Sequence, residues 1–445
     1  MTDPLSITAA AREAGRRTAL RVGEQRFTFA ELADLAQARR AALDLDPRRP
    51  HALVGSNTLD TAVTLYALLE ARVPLLMLHP KLTAAERQDE IDATARAASA
   101  LPADAAAILY TSGTTGRARG AVLTRAALVA SAQANAANLG WQDDDVWLAA
   151  MPIARVGGLS ILTRSLIVRR AVALAPGFDA ALLPQWIEEQ RVTILSLVPT
   201  MLSLLLDAHP QWMPPPHLRV ILLGGAATSP RLLARAAERR LPIVITYGCT
   251  ETCSQVVATP YEQRFDTARH GAGRPLAGSE VRIRDGHIEV RGPMRMAGYL
   301  GEPPLDPRAW FDTGDLGELD ADGNLHVHAR QGDLIVTGGE NVYPAEVERV
   351  LEGCPGIAAA AVFGLPDATW GQIVCAALVA DGAAPATEAV AAFLAARLAR
   401  HKQPRRLCFV PALPQTAGGK LDRGALPAMA ARPGWLWAAT AAGKL

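Results

Sequence analysis

Four stretches of the chain place polar side chains beside glycines in ways that suit a charged ligand. TSGTTGRARG (111–120) follows the apolar run AAAILY and gathers Thr111, Ser112, Gly113, Thr114, Thr115 and Gly116 ahead of Arg117 and Arg119. Glycines let backbone N–H groups converge, hydroxyls add donors, and the arginines add positive charge: the makings of a phosphate cradle. The GxxxxGK[ST] spacing of a Walker loop and the GxGxxG of a dinucleotide turn are both absent. YGCTET (247–252) also ends an apolar run, offering the Tyr247 ring, the Thr250 hydroxyl and the Glu251 carboxylate. Open α/β sheets bind ligands at strand ends, and a carboxylate there suits Mg2+, which prefers oxygen ligands. The plainer alternative is a helix start, capped by Thr250 with Glu251 in the first turn. FDTGDLGELD (311–320) holds Asp312 and Asp315 around a glycine. A carboxylate can accept from both hydroxyls of a ribose, or merely close an Asx turn. PQTAGGKLDR (414–423) puts Lys420 on a glycine-bearing loop, where an ammonium can enter a cleft and neutralise developing negative charge. Together these residues suit one chemistry. A carboxylate oxygen attacks the α-phosphorus of ATP, pyrophosphate leaves, and cations with Mg2+ stabilise the transition state.

The elements that must position these groups follow from periodicity. FTFAELADLAQARRAALD, with Thr28 as a cap, and TLDTAVTLYALLEA (58–71) have helical spacing, so the first 100 residues read as alanine-rich helices before the short buried run VPLLMLH. AAAILY (105–110) reads as a strand, RAALVASAQANAANLG as a helix capped by Thr124, and VTILSLVP, RVILLGG and PIVITYG as strands buried on both faces. That predicts a layered α/β body to about residue 265. SEVRIRDGHIEVRG turns at Asp285-Gly286 and GELDADGNLHVHAR around Asp322-Gly323, so antiparallel hairpins are appended. After Arg330 come Gly332, Gly338 and Gly339, which predict a hinge and a tight loop. A helix begins at Pro344, and a small βαβ-type unit follows, with a helix near 386–400. The expected division is a large domain over 1–330 and a small mobile α+β domain over 331–445.

Length and composition set bounds on function. The chain has 445 residues, half of them apolar, and a formal net charge of +1. At about 150 residues per domain it holds two or three folding units. Near-neutral charge calls for neither nucleic acid nor an anionic membrane as partner. Five cysteines show no framework spacing, and neither a signal peptide nor a credible membrane span is visible, so a reducing, cytoplasmic location is expected. Cys249 with Cys253, and His326 with His328, lack the further ligands of a metal site. Only four residues are lysine (Lys81, Lys402, Lys420, Lys444), so compositional drift is a poor explanation for Lys420.

The motifs, in order, resemble those of the adenylate-forming superfamily of acyl-CoA synthetases, luciferases and peptide-synthetase adenylation domains. They are YTSGTTGRARG (110–120), YGCTE (247–251), FDTGDLG (311–317), ARQGDLIVTGGENVYPAEVE (329–348) and PQTAGGKLDR (414–423), and they span most of the chain. Within that superfamily, the short length and MPIARVGGLSILTRSL (151–166) look most like the ligases that join 2-succinylbenzoate to CoA in menaquinone synthesis. The resemblance implies ATP, Mg2+ and CoA as reactants. It implies that Thr111 to Gly116 cover the ATP phosphates. Gly224, Gly225 and Ala226 would lie along the adenine, with Tyr247 against its ring. Thr250 would touch the α-phosphate, Glu251 would hold Mg2+, and Asp315 with Arg330 would bind the ribose. Lys420 would contact the substrate carboxylate and the forming acyl phosphate, and would matter for adenylation much more than for thioester formation. Gly332 would be the hinge, and the loop from Val336 to Asn341, with Gly338, Gly339 and Glu340, would line the CoA side. Gly158 and Cys249 would line the acyl site, and Arg164 resembles an arginine linked to a distal substrate carboxylate.

Two departures bear on the acid. Arg155 stands where the family usually has a histidine near the reacting carboxylate. Being longer and always charged, it either favours a second carboxylate or narrows the pocket. Arg119 replaces a phosphate-loop lysine and keeps the charge. Alternatives are the same chemistry on another aryl or short-chain acid, transfer to a separate carrier-protein thiol, and a non-catalytic nucleotide-binding homologue. Relatives also suggest a homodimer.

Overall fold

Nine strands form the largest sheet of the computed structural model, which describes residues 3–112, 118–266, 271–416, 420–430 and the strand at 438–439. Its centre is parallel: Ile243–Cys249, Val220–Gly224, Ile194–Leu197, Val146–Ala149, Ala171–Leu174 and Thr18–Val22 lie side by side, with antiparallel strands at both edges. The strand Val146–Ala149 shows why such runs are apolar throughout. Trp147 and Ala149 face one core, while Val146 and Leu148 face a second on the other side of the sheet. The first core is shared with a five-stranded sheet containing Leu75–Leu78, Ala105–Ser112 and Ala118–Thr124. Helices Leu59–Ala71, Arg125–Leu139 and Val156–Val168 also pack into it. The second core is closed by helices Leu183–Glu189, Pro199–Ala208 and Pro230–Glu238.

Local chemistry sets the helix ends as expected. Thr28 caps helix Phe29–Ala42 in a reciprocal box with Glu31, and Thr58 and Thr124 cap the two helices that follow them. One expectation needs correction. The first 100 residues are not only helical: strands Thr18–Val22 and Gln25–Thr28 form a hairpin, and His51–Val54 edges the five-stranded sheet. These strands are only four or five residues long, below the length at which alternation separates them from a loop. The glycine-rich stretch at 111–120 is also framed by strand. Ala105–Ser112 pairs antiparallel with Ala118–Thr124 on either side of it.

Four antiparallel strands (Glu280–Arg284, His287–Arg291, Phe311–Leu319, Leu325–Arg330) make the appended sheet. Its first hairpin turns through Asp285 and Gly286, both at positive φ, which suits an Asp-Gly pair. Beyond it, all strands from Ile335 onward belong to one further sheet with its own two cores. The helix begins at Pro344 as expected, the long hairpin Ile357–Asp367 with Gly371–Ala380 follows, and helix Thr387–Ala395 crosses over to Arg406–Phe409, parallel to Gly371–Ala380.

Candidate active site

Two carboxylates converge near the end of strand Ile243–Cys249, and each is held by one tyrosine. Asp315, 7% exposed, accepts from the Tyr247 hydroxyl at 2.8 Å and from Arg330 Nε at 3.1 Å. Thr313 Oγ1 lies 2.9 Å from the same hydroxyl. Burial raises the Asp315 pKa, opposed by Arg330 and Tyr247. Tyr247 is raised well above the usual phenol range by burial, then by Asp315, so it stays a neutral donor. Glu251, in the turn after the strand, accepts from the Tyr299 hydroxyl at 2.8 Å. The guanidinium of Arg119 lies 3.5 Å from the centre of the Tyr299 ring and pairs with Glu302 at 2.7 Å. The charge that Arg119 brings beside the phosphate-loop stretch is therefore already paired with Glu302. The Cys249 thiol also interacts with the Glu251 carboxylate, whose oxygens are of the type a hard cation prefers.

Gly224 and Gly225 open the loop after strand Val220–Gly224. A Cβ at Gly224 would lie 2.3 Å from Thr246 Oγ1, so the close approach excludes any side chain there. Gly225 has φ +81°, and a Cβ there would stand 3.5 Å from Lys420 Nζ. Lys420 thus reaches from the last described loop to the end of the central strands, although its motif lies far away in sequence. Burial, then Arg330 and Arg155, lower its pKa, while Asp315 works in the opposite sense.

Helix Val156–Val168 carries the two arginines nominated for the acid. Arg155 is its N-cap residue, exposed, with no cap hydrogen bond from its side chain, and it lies within electrostatic reach of Glu90, His79 and Lys420. Arg164 is 2% exposed, and its guanidinium donates to Gln255 Oε1 at 2.9 Å, Ser131 Oγ at 2.8 Å and the Cys253 carbonyl at 3.4 Å. Contact with a distal carboxylate would require this network to open. Gly158 is tight, since a Cβ there would meet the Pro152 carbonyl at 2.1 Å. The Cys249 thiol is 3.6 Å from Thr252 Oγ1, and burial raises its pKa well above the usual range.

Thr111 Oγ1 reaches the Arg119 carbonyl at 3.4 Å. Gly113, Thr114, Thr115 and Gly116, and the side chain of Ser112, lie outside the described residues. Gly332 sits in a short turn, Gln331–Asp333, where an added Cβ would meet nothing, so this conformation itself does not demand glycine there. Gly338 and Gly339, at φ +60° and +85°, turn the hairpin Ile335–Thr337 with Glu340–Val342, and a Cβ at Gly338 would strike Trp370 at 2.7 Å. His326 and His328 face Asp320 and Glu318, and the described residues hold no cluster able to bind a metal unaided. The sequence reading missed Tyr299 and Thr313. Tyr299 stands in no motif, and its one available signal was that tyrosine is rare, with six in the chain; Thr313 lies within FDTGDLG, where attention fell on the two aspartates.

These features bring Asp315, Glu251 and Lys420 together near the strand ends of an α/β body, with Lys420 coming from the C-terminal unit. The chain belongs to the AMP-binding enzyme family: that family's model matches residues 89–300, and the model of its C-terminal domain matches residues 346–420. It is 37% identical to a 2-succinylbenzoate–CoA ligase of Bacillus licheniformis, over 92% of this chain and 96% of that one. The structure superposes on o-succinylbenzoate CoA synthetase from Bacillus subtilis in complex with its acyl-adenylate intermediate, with TM-score 0.85, 32% identity, and 96% of this chain and 98% of that one covered. The same enzyme with ATP and magnesium ion gives TM-score 0.84 at 31% identity, covering 95% and 99%. ATP-bound MatB from Rhodopseudomonas palustris gives 0.85 at 27% identity, covering 97% and 99%. Among the described residues no helix is long and apolar enough to cross a membrane.

Proposed function

We propose that this chain is an ATP-dependent acid–CoA ligase that adenylates 2-succinylbenzoate, releasing pyrophosphate, and then passes the acyl group to CoA, releasing AMP. The observation that carries the reading is the meeting of Lys420, Gly225, Asp315 and Arg330 at the end of the parallel strands. The full-length likeness to 2-succinylbenzoate–CoA ligases supplies the acid.

Each residue then has a task in this reading. Asp315, held by Tyr247 and Arg330, accepts the ribose hydroxyls. Gly224, Gly225 and Ala226 leave room for the adenine, and Thr111 to Gly116 cover the phosphates. Thr250 donates to the α-phosphate. Glu251, positioned by Tyr299, would hold Mg2+, which supplies positive charge at the phosphates when bound. Lys420 neutralises the charge that builds as the carboxylate oxygen attacks the α-phosphorus. The division into 1–330 and 331–445, with rotation at Gly332, then removes Lys420 and brings Gly338, Gly339 and Glu340 to the CoA side. A cytoplasmic location fits the water-soluble reactants, and a homodimer is the oligomeric form suggested by relatives.

Arg155 supports a second reading, in which the acid differs but the chemistry stays. An open guanidinium on the acyl side favours an acid with a further carboxylate. The test measures AMP formation with ATP and Mg2+ over a panel of acids, with and without CoA. CoA-dependent turnover selective for 2-succinylbenzoate is expected. Selectivity for another acid would replace the substrate, and CoA-independent AMP release would point to a carrier thiol as acceptor.

A further inference from the structure

Lys420 is useful only while its unit is docked on the body, and the structure shows polar contacts that fasten the two together. Strand Val220–Gly224 ends in the loop that Lys420 touches, and that loop runs directly into helix Pro230–Glu238. Ser229 caps this helix by accepting from Leu232 N at 3.2 Å. Arg231, in the first turn, points away from its own domain. Its Nη1 donates to the Ile357 carbonyl at 2.6 Å, and its Nη2 meets Asp381 Oδ2 at 2.5 Å. Both acceptors lie at the open end of the long hairpin, where Ile357 begins one strand and Asp381 follows the other. Glu352, at the end of helix Pro344–Glu352, lies against the Ser229 hydroxyl and near Arg231. One loop-and-helix segment of the body therefore meets the small unit twice, beside Lys420 at Gly225 and at the hairpin's open end through Arg231.

We propose that Arg231 is a positioning residue for Lys420, tying the helix after Gly225 to Ile357 and Asp381 so that the small unit is held docked for adenylation. The inference rests on the two-step ligation proposed above. Rotation at Gly332 carries Ile357 and Asp381 away together, so both bonds must break before thioester formation. A contact present in one of two states biases the equilibrium between them by its strength in that state. Arg231 touches no reacting atom, so its loss acts on the population of the docked form, leaving the chemistry within that form unchanged.

The test separates the half-reactions. Acid-dependent ATP–pyrophosphate exchange reads adenylation, and conversion of supplied acyl adenylate with CoA reads transfer. Arg231→Ala is expected to lower exchange about tenfold, some 1.4 kcal/mol, with the KM for ATP little changed and transfer unchanged or faster. Arg231→Lys keeps the charge and should recover part of the exchange. Asp381→Ala leaves the Ile357 bond and should cost about threefold, and adding it to Arg231→Ala should cost nothing more. Unchanged exchange in Arg231→Ala, or equal loss in both half-reactions by a folded variant, overturns the inference. If Arg231→Ala does not fold, Asp381→Ala decides by the same two readouts, and unchanged exchange there also overturns it. Wild-type exchange with an acid other than 2-succinylbenzoate would sink that substrate, and the latch would then be measured with the active acid. If no acid supports exchange, the ligase reading fails. Small-angle scattering of free wild type and Arg231→Ala then decides, because an undocked small unit extends the particle and identical profiles reject the latch.

Discussion

Arg155 and Arg164 stand on one helix and have opposite fates. Arg155, at its N-cap, is exposed, makes no cap hydrogen bond and feels Glu90, His79 and Lys420 only through electrostatics. Arg164, in the interior, is 2% exposed, with its donors directed to Gln255, Ser131 and Cys253, and burial lowers its pKa to about 10. An arginine buried with both terminal nitrogens paired is structural material, even with Arg164 Nε left without a partner, and its removal strips a hydrogen bond from each of Gln255, Ser131 and Cys253. An arginine left open has charge to offer a ligand. The helix reverses the ranking that motif position suggests, since Arg164 occupies the place associated with a distal carboxylate while Arg155 is the departure.

The largest effect comes from the third cation, which is delivered from the other domain. Lys420→Ala should lower ATP–pyrophosphate exchange by about 100-fold or more, yet spare thioester formation from supplied acyl adenylate. Comparable losses in both steps would make Lys420 a fixed charge like Arg155. Next in size is the folding test. Arg164→Ala should cost about 2–4 kcal/mol in a urea titration, and Arg155→Ala should stay within ~0.5 kcal/mol. A mild effect at Arg164 would show that its network is expendable and restore it as a substrate contact.

A smaller effect separates the two in specificity. Arg155→Gln should raise KM for a dicarboxylic acid about tenfold more than for its monocarboxylic analogue. The same selective loss in a stable Arg164 variant, and none at Arg155, would sink the assignment. The smallest effect is on pH. Burial, Arg330 and Arg155 hold the Lys420 pKa below the ordinary 10.5, so its ammonium is lost earlier as pH rises. Adenylation kcat/KM should therefore fall on the alkaline side, beginning below the usual lysine range. Between the lowered folded value and the unfolded one, the unfolded chain holds the proton better, so this lysine costs the fold less as pH rises. Arg155→Gln removes a neighbouring cation and should move the alkaline limb upward; an unmoved limb would separate the two cations. Lys420→Arg should abolish the limb.

Much of the fold was legible because its signals are local. Thr28, Thr58 and Thr124 cap their helices, Asp285-Gly286 turns its hairpin, and runs such as VILLG are apolar throughout because both faces of that sheet are covered. The strands near the N-terminus were missed because four or five residues carry too little periodicity. In the candidate site, glycine-rich context singled out Asp315, Glu251 and Lys420, and the structure brings these three near one another. Tyr299 and Thr313 were not, because what matters about each is a partner distant in the chain: Glu251 for one, Tyr247 for the other.

The sequence by itself determined the layered α/β class, the order of the glycine-rich motifs and the chemistry those residue types permit, because propensity, capping and motif spacing are properties of neighbours in the chain. Only the tertiary structure decided which charges are free. It placed Lys420 against Gly225, paired Arg119 with Glu302, sealed Arg164 among Gln255, Ser131 and Cys253, and left Arg155 open. Whether a charge is spent inside the fold or offered to a ligand depends on burial and on partners brought together from remote positions, and those exist only once the chain has packed.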